Sequence, residues 1–158
     1  MNLYIKQKVF SIRDKYNVYN GAQQPVFTVE SEFFSFGAKI HVYDLLGVEL
    51  FYIEQKLFRF LPEYHIFNQN TCCAIVKKEF SLFKPRLHIE SQFGNYHIEG
   101  NLWGMDFVIL NGDIPVGEIH KTWLSFGDSY ELVIRDPNDA PFFSTLVIAI
   151  DHCLHNDN

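Results

Sequence analysis

A pattern of apolar and polar positions repeats about every 23 residues along this chain, which indicates a repeated structural unit. The stretch Tyr4-Ile5-Lys6-Gln7-Lys8-Val9-Phe10 shares its internal spacing with Tyr52-Ile53-Glu54-Gln55-Lys56-Leu57-Phe58. Six such units follow one another between residues 3 and 134. The first apolar anchors of the six units are Ile5, Val29, Ile53, Val76, Ile98 and Ile119.

Further apolar anchors follow the first one at fixed offsets, and the residues between them are mostly polar. Apolar residues two apart, separated by polar ones, are typical of a strand with one wet face. The anchors four and seven positions on are Val9, Phe33, Leu57, Phe80, Leu102 and Trp123, then Ile12, Phe36, Phe60, Phe83, Met105 and Phe126. The anchors eleven and thirteen positions on are Tyr16, Ile40, Tyr64, Leu87 and Tyr130, then Val18, Val42, Ile66, Ile89 and Leu132, with Phe107 and Ile109 in a shorter fifth unit.

Turn residues divide this pattern into paired strands. They close units at Asn20-Gly21, Gly94-Asn95 and Asn111-Gly112, and others such as Pro62 and Pro85 stand near the middle of a unit. Each unit therefore predicts a β-hairpin, and six hairpins predict twelve antiparallel strands. An open sheet of that size exposes two edges, whereas a closed barrel has none. Twelve strands also enclose more space than their own side chains fill, so we predict a mainly β, closed barrel that needs a filling.

The C-terminal segment is suited to fill that barrel. Asp136-Pro137-Asn138-Asp139 predicts a turn with helix N-cap character, and Pro141 is tolerated in a first helical turn. Apolar residues then point in every direction around a helix predicted at residues 140–154, which is typical of a helix buried on all sides. We therefore predict a single domain over residues 1–158, a barrel of six hairpins around one central helix.

Composition and charge narrow the class of protein. Hydrophobic residues make up 47% and aromatic residues 16% of the chain, which favours strands. The net charge of −6 argues against a nucleic-acid partner and weakens avid binding to an anionic membrane. Three cysteines form no disulfide framework and favour a reducing, cytoplasmic compartment. No apolar stretch approaches the ~20 residues of a transmembrane helix, and the N-terminal residues lack the apolar run of a signal peptide.

Several stretches resemble the LURP-one-related family, which is close to the Tubby C-terminal domain and the phospholipid scramblases. The resemblance implies a twelve-stranded antiparallel barrel around a C-terminal helix, and implies little about activity. Tubby domains bind phosphoinositides through basic surface residues, and scramblases are associated with calcium and with lipid movement. The stretches that carry the resemblance are Tyr4-Ile5-Lys6-Gln7-Lys8-Val9-Phe10, Phe33-Phe34-Ser35-Phe36-Gly37, Tyr52-Ile53-Glu54-Gln55-Lys56, Trp123-Leu124-Ser125-Phe126-Gly127-Asp128-Ser129-Tyr130 and Val147-Ile148-Ala149-Ile150-Asp151.

Anionic phospholipid headgroups are the partner that these relatives imply. Clustered Lys and Arg residues pair with phosphates, and the best local group lies on one predicted hairpin. The plainer alternative is an ordinary solvated face, since Glu79 and Glu90 belong to the same hairpin and dilute its charge. The candidate lipid-phosphate ligands are Lys77, Lys78, Lys84 and Arg86.

Metal sites receive weaker support from the sequence. Asp136, Asn138 and Asp139 offer too few oxygens for calcium, and helix capping explains the same residues. Three histidines recur at one place in successive repeats, but every second strand is about 9.6 Å away, too far for shared zinc bonds. We expect these histidines, His41, His65 and His88, to lie on the outer polar face, and we expect no metal or cofactor.

Cysteine and aspartate side chains also occupy positions that are predicted to be buried. Cys72-Cys73 has no paired histidine in evident register, so a buried thiol that acts as a small hydrophobe is expected. Asp151 lies on a helix predicted to be enclosed, where a carboxylate must be paired, hydrogen-bonded or protonated. It either bonds backbone or a Lys or Arg at the barrel mouth, or anchors a ligand.

The sequence thus predicts a non-enzymatic binding or scaffold domain, with a peripheral phosphoinositide- or phospholipid-binding module as the alternative.

Overall fold

The computed structural model describes residues 1–6, 15–32, 35–124 and 127–155. The C-terminal part forms a short 3-10 helix (Pro137–Asp139) and then α1 (Ala140–His155). The anchors Val9, Ile12, Phe33 and Phe126 lie outside the described residues. The strands are β1 (Asn2–Lys6), β2 (Lys15–Asn20), β3 (Pro25–Ser31), β4 (Lys39–Tyr43), β5 (Glu49–Gln55), β6 (Glu63–Asn68), β7 (Thr71–Glu79), β8 (Arg86–Ser91), β9 (Tyr96–Asn101), β10 (Asp106–Asn111), β11 (Ile114–Leu124) and β12 (Gly127–Ile134).

All twelve strands belong to one antiparallel sheet, with the order β8-β7-β6-β5-β4-β3-β2-β1-β12-β11-β10-β9. In this order β1 lies between β2 and β12, and the two edge strands are β8 and β9. These two edges contact one another, but no hydrogen-bonded ladder joins them within their described ranges. The predicted twelve-stranded barrel is therefore confirmed as a nearly closed one, with a seam between β8 and β9.

A β-bulge recurs at the same place in four of the strand pairs. The register shifts directly after an inward residue in the pairs β2–β3, β4–β5, β6–β7 and β10–β11. A bulge bends its strand and increases the local twist, which helps a long sheet to curl back on itself. The residues that precede these shifts are Val18, Val42, Ile66 and Ile109, each 0% exposed.

The helix α1 fills the barrel as predicted. All of its residues are buried except Pro141 and His155, and it contacts β1, β5, β6, β7 and β12. The side chain of Asp136 caps the preceding 3-10 helix by accepting a hydrogen bond of 2.9 Å from the backbone N–H of Asn138. This confirms the capping role predicted for the turn. None of the helices that the structure describes is long and apolar enough to pass through a membrane.

The apolar anchors divide into two groups that the repeat pattern does not distinguish. Those at the start and end of each unit face the core, as Ile53 and Ile66 do at 0% exposure. Most of those in the middle lie outside the strands, in the connectors, where Phe36 and Phe60 are 89% and 94% exposed. Leu102 and Met105 of the short fifth unit are exceptions at 9% and 1%. The middle anchors therefore belong to a surface feature and not to the apolar face of the strands.

Candidate functional site

The connectors of the barrel fall at two ends because neighbouring strands run in opposite directions. We call end A the end with the connectors that follow odd-numbered strands, and end B the one with those that follow even-numbered strands. The helix α1 starts at end B, after β12, and finishes at end A. There the thiol of Cys153 lies 3.6 Å from the carbonyl oxygen of Pro62, in the β5–β6 connector.

Seven exposed aromatic side chains project from end A. Their exposed fractions range from 56% for Trp103 to 101% for Phe58. In the part of the chain that the structure describes, end B exposes one aromatic side chain, Phe93 at 52%. Large exposed apolar patches are uncommon on monomeric proteins and mark interaction sites. We call the seven residues the aromatic rim; they are Phe36, Phe58, Phe60, Phe80, Phe83, Trp103 and Trp123.

The backbone holds one of these side chains, Phe58, outward at a conformational cost. Phe58 has a φ of 59°, a left-handed conformation that a bulky residue rarely adopts and that costs about 1–3 kcal/mol. At the base of the same connector, the N–H of Lys56 donates to the carbonyl of Glu63 over 2.8 Å. Gly37 has a φ of 76°, and a Cβ there would lie 2.9 Å from Leu57 Cδ2. Neighbouring connectors therefore pack at their bases while their aromatic tips stay in solvent.

The four predicted phosphate ligands lie on one hairpin, but the structure separates them. Lys77 is on the outer wall of the barrel, where its Nζ lies 3.1 Å from Glu90 Oε1. The Nζ of Lys78 lies at end A, 5.6 Å from the centroid of the Trp103 ring. Lys77 is thus already paired with a carboxylate, and Lys78 is engaged with a member of the aromatic rim.

Lys84 and Arg86 are the two predicted ligands that remain available. Both are exposed beside the seam, and within the described ranges neither has a salt bridge. Lys84 shares with Trp103 a cleft of about 520 Å³ at the end-A side of the seam. The predicted cluster therefore reduces to two free cations next to the aromatic rim.

Charge is distributed unevenly along the barrel axis. The Lys and Arg residues that the structure describes lie at or near end A, with Arg135 as the exception. The connectors of end B instead carry the acidic residues Asp44, Asp113, Asp136 and Asp139. Although the net charge is −6, most of the cations lie at end A and some of the acidic residues lie at end B.

Asp151 is held at the end-A mouth by two side chains. It is 6% exposed, and the hydroxyl of Tyr130 donates to its Oδ1 over 2.8 Å. The Nδ1 of His155 lies 2.9 Å from the same oxygen, and this hydrogen bond raises the pKa of His155. Among the described residues, a Tyr from β12 and a His one turn along α1 therefore hold this carboxylate, in place of the backbone, Lys or Arg partner expected from the sequence.

Each of the three repeated histidines lies against its own carboxylate on the outer wall. They occupy β4, β6 and β8, which are separated by intervening strands in the sheet, as the predicted spacing requires. Across residues 1–6, 15–32, 35–124 and 127–155, no group of three or more His, Cys, Asp or Glu is placed to hold a metal. The pairs are His41 with Glu49 at 2.7 Å, His65 with Glu63 at 2.6 Å and His88 with Glu90 at 3.6 Å.

The contacts among Cys72, His65 and Glu63 have no signal in the sequence, because a bulge produces them. The register shift after Ile66 brings Cys72 Sγ within 4.0 Å of His65 Nδ1, whose other ring nitrogen contacts Glu63. Such a chain of thiol, imidazole and carboxylate resembles a nucleophile with its base. Burial raises the pKa of Cys72, however, which opposes formation of the reactive thiolate. Cys73 is 3% exposed, which confirms the predicted buried thiol, whereas Cys72 is only partly buried.

Three comparisons place the chain among known proteins. A family model described as LURP-one-related matches residues 1–151. The uncharacterized protein YxjI of Bacillus subtilis (strain 168) is 37% identical over 158 residues, which cover 99% of this chain and 96% of that protein. The X-ray structure of a protein from Arabidopsis thaliana superposes with a TM-score of 0.64 at 14% identity, covering 95% of this chain and 90% of that one. The structural likeness concerns the fold alone.

Proposed function

This chain belongs to the LURP-one-related family, and we propose that it is a non-enzymatic domain that binds anionic phospholipid bilayers through end A. The observation that carries the proposal is the aromatic rim beside free cations. Phe and Trp side chains are favoured at the boundary between lipid headgroups and acyl chains. In this proposal Lys84 and Arg86 of hairpin β7–β8 bind lipid phosphates, as predicted, and the aromatic side chains insert into the bilayer.

The shape of end A favours a broad surface over a single pocket. The rim residues stand on four connectors and on the last part of β11, so one extended target can contact them together. Complete burial of one Phe side chain is worth about 1.5–3 kcal/mol, and partial insertion of several would add up to firm association. An anionic bilayer offers such a target. Its phosphates would also supply anionic partners for Lys84 and Arg86.

The net charge of the chain opposes this association only in part. Each Lys or Arg near an anionic surface contributes about 1 kcal/mol within one Debye length. Two further cations of end A are already paired, because Lys56 lies 3.1 Å from Glu54 and Arg59 lies 3.4 Å from Glu63. The four acidic residues of the end-B connectors would face away from the lipid. We therefore assign most of the affinity for the bilayer to the aromatic rim. The uneven charge distribution would orient the barrel with end A toward the lipid.

The non-enzymatic part of the proposal is supported by how the interior and the thiols are used. The space inside the barrel, where a deep catalytic pocket would otherwise form, is occupied by α1. Burial raises the pKa of Cys73 to about 11 and that of Cys153 to about 12, so both remain neutral thiols at physiological pH. Measured turnover of any substrate by the purified protein would contradict this part.

Flotation with vesicles tests the bilayer proposal. We expect binding to phosphatidylcholine vesicles that contain phosphatidylserine, and weaker binding to phosphatidylcholine alone. The double variant Phe58→Ala with Phe60→Ala should lose about tenfold in affinity, since two inserted rings are removed. The matched control is Leu45→Ala with Leu46→Ala, which removes two exposed apolar side chains from one connector at end B.

The outcomes separate the possible sources of binding. Equal loss in both double variants, or no flotation with any vesicle, would overturn the proposal. Selective binding to vesicles with added phosphoinositide would assign headgroup specificity to end A. Binding that needs a protein partner and no lipid would show that the rim is a protein interface.

A further inference from the structure

A half-open pocket of about 530 Å³ lies at end B, over the first turn of α1. Its walls are aromatic, and the centroid of the Phe142 ring lies 4.8 Å from that of Phe93, 5.8 Å from that of Tyr96 and 6.0 Å from that of Phe51. Phe51, Tyr96 and Phe142 are buried, whereas Phe93 is 52% exposed and forms an outer wall. A volume of this size suits a small organic molecule.

The charge at the mouth of the pocket is negative. Asp139 lines the pocket, and Asp136 stands three residues earlier in the same turn. No Lys or Arg of the described ranges pairs with Asp139. The amino end of a helix carries about half a positive charge, which two carboxylates outweigh. The pocket therefore combines the faces of several aromatic rings with an unpaired carboxylate.

We infer that this pocket binds a small organic cation with an apolar body, such as an aryl- or alkylammonium compound. The negative faces of aromatic rings attract ammonium groups within about 6 Å of their centroids, and desolvation strengthens the attraction. Phe93, Tyr96 and Phe142 would surround the ammonium group, while the carboxylate of Asp139 would neutralise its charge. This inference is independent of bilayer binding, because it uses the opposite end of the barrel.

The electrostatics of the pocket agree with such a ligand. Burial, followed by repulsion from Asp136, raises the pKa of Asp139. Burial, followed by repulsion from Asp139, also raises the pKa of Tyr96. Both effects mean that negative charge is disfavoured at this place without a cation. A bound cation would relieve both effects and would therefore bind more tightly as Asp139 ionises.

Titration of the full chain with three probes, followed by protein NMR, tests the inference. Benzyltrimethylammonium is the cation, benzyl alcohol the neutral compound and benzoate the anion. We expect the cation to shift amide signals of residues around Phe93 and Asp139, with about tenfold tighter binding than benzyl alcohol. Benzoate should cause no saturable shift, because the carboxylates repel it.

Two variants and one control make the result specific. Asp139→Asn keeps the shape and capping capacity of the residue and should weaken binding of the cation about tenfold. Phe93→Leu keeps an apolar wall without its π-face and should also weaken it. Asp113→Asn makes the same charge change at end B outside the pocket and should leave binding unchanged. Tighter binding of benzoate, absence of any saturable shift, or equal losses in Asp139→Asn and Asp113→Asn would each overturn the inference.

Discussion

Aromatic side chains collect at both ends of the barrel, but the two ends use them differently. At end A the aromatic rim projects into solvent beside Lys84 and Arg86, whereas at end B the rings of Phe51, Tyr96 and Phe142 are buried around a pocket. The end-B connectors between strands are short and rich in turn-forming residues, such as Gly112-Asp113. The end-A connectors are mostly longer and carry apolar residues in their middle. The comparison teaches that the aromatic residues of the end-A connectors are exposed, whereas the end-B rings, which stand on β5, β9 and α1, are buried.

The largest expected effect contrasts an apolar residue of the core with one of the rim. Leu146 of α1 is 0% exposed and Phe60 is 94% exposed. Leu146→Ala should lower the free energy of unfolding by about 3–4 kcal/mol, because it leaves a cavity that the barrel cannot close. Phe60→Ala should change it by less than about 0.5 kcal/mol. Urea denaturation measures both, and a similar loss in the two variants would contradict the division between core and rim.

The next effect contrasts the carboxylates at the two ends of α1. Asp151→Asn weakens the hydrogen bond from Tyr130 and removes the charge beside His155, so a loss of about 2 kcal/mol is expected. Asp139→Asn should change stability by less than about 0.5 kcal/mol, since the residue is exposed. Thermal and urea unfolding provide the measurement. An unchanged stability of Asp151→Asn would assign that carboxylate a role other than holding the helix end.

The pH dependence of stability should separate the same two ends. The hydrogen bond to Asp151 raises the pKa of His155, so its contribution is complete below about pH 6.5 and is lost as the pH rises through the folded-state value. The pKa of Asp139 is raised by burial. Wild-type stability therefore decreases as the pH rises from about 3.8 through the folded-state value. His155→Gln should flatten only the first slope and Asp139→Asn only the second. Unfolding midpoints measured across the pH range give the result, and identical profiles for the two variants would be inconsistent with it.

The smallest effect concerns two lysines of one hairpin. Lys77→Gln removes an exposed ion pair with Glu90 and should cost less than about 0.5 kcal/mol. Lys84→Gln breaks no salt bridge and should leave stability unchanged, while reducing association with anionic vesicles several-fold. Flotation and unfolding measured on the same samples distinguish the two positions. Weaker flotation of Lys77→Gln than of Lys84→Gln would move the lipid contact to the outer wall.

The sequence was sufficient to predict the architecture because the repeat is strict where side chains face the core. The inward anchors, such as Val42 and Ile66, alternate with polar residues and recur in each unit. The helix was predictable for a second reason, since a segment apolar on every side has no stable place other than an interior. These two signals are local, and they agree with each other.

The candidate site was less predictable because it depends on contacts between distant residues. Apolar anchors such as Phe36 and Ile53 look equivalent in the sequence, and only the ends of the strands separate an exposed one from a buried one. The pairing of Asp151 with Tyr130 joins residues that are 21 positions apart. The seam also left no local signal, although it lies next to the fifth unit, which is two residues shorter than the others.

The place of β1 in the sheet has a consequence for synthesis on the ribosome. Ile5 pairs with Tyr130, so β1 obtains its second neighbour only after most of the chain has emerged. The helix that fills the interior follows later still. A nascent chain therefore carries the apolar faces of its early hairpins without their final cover. Folding dominated by such distant pairings is slow, and a molecular chaperone or fast translation would shorten the period in which these faces could aggregate.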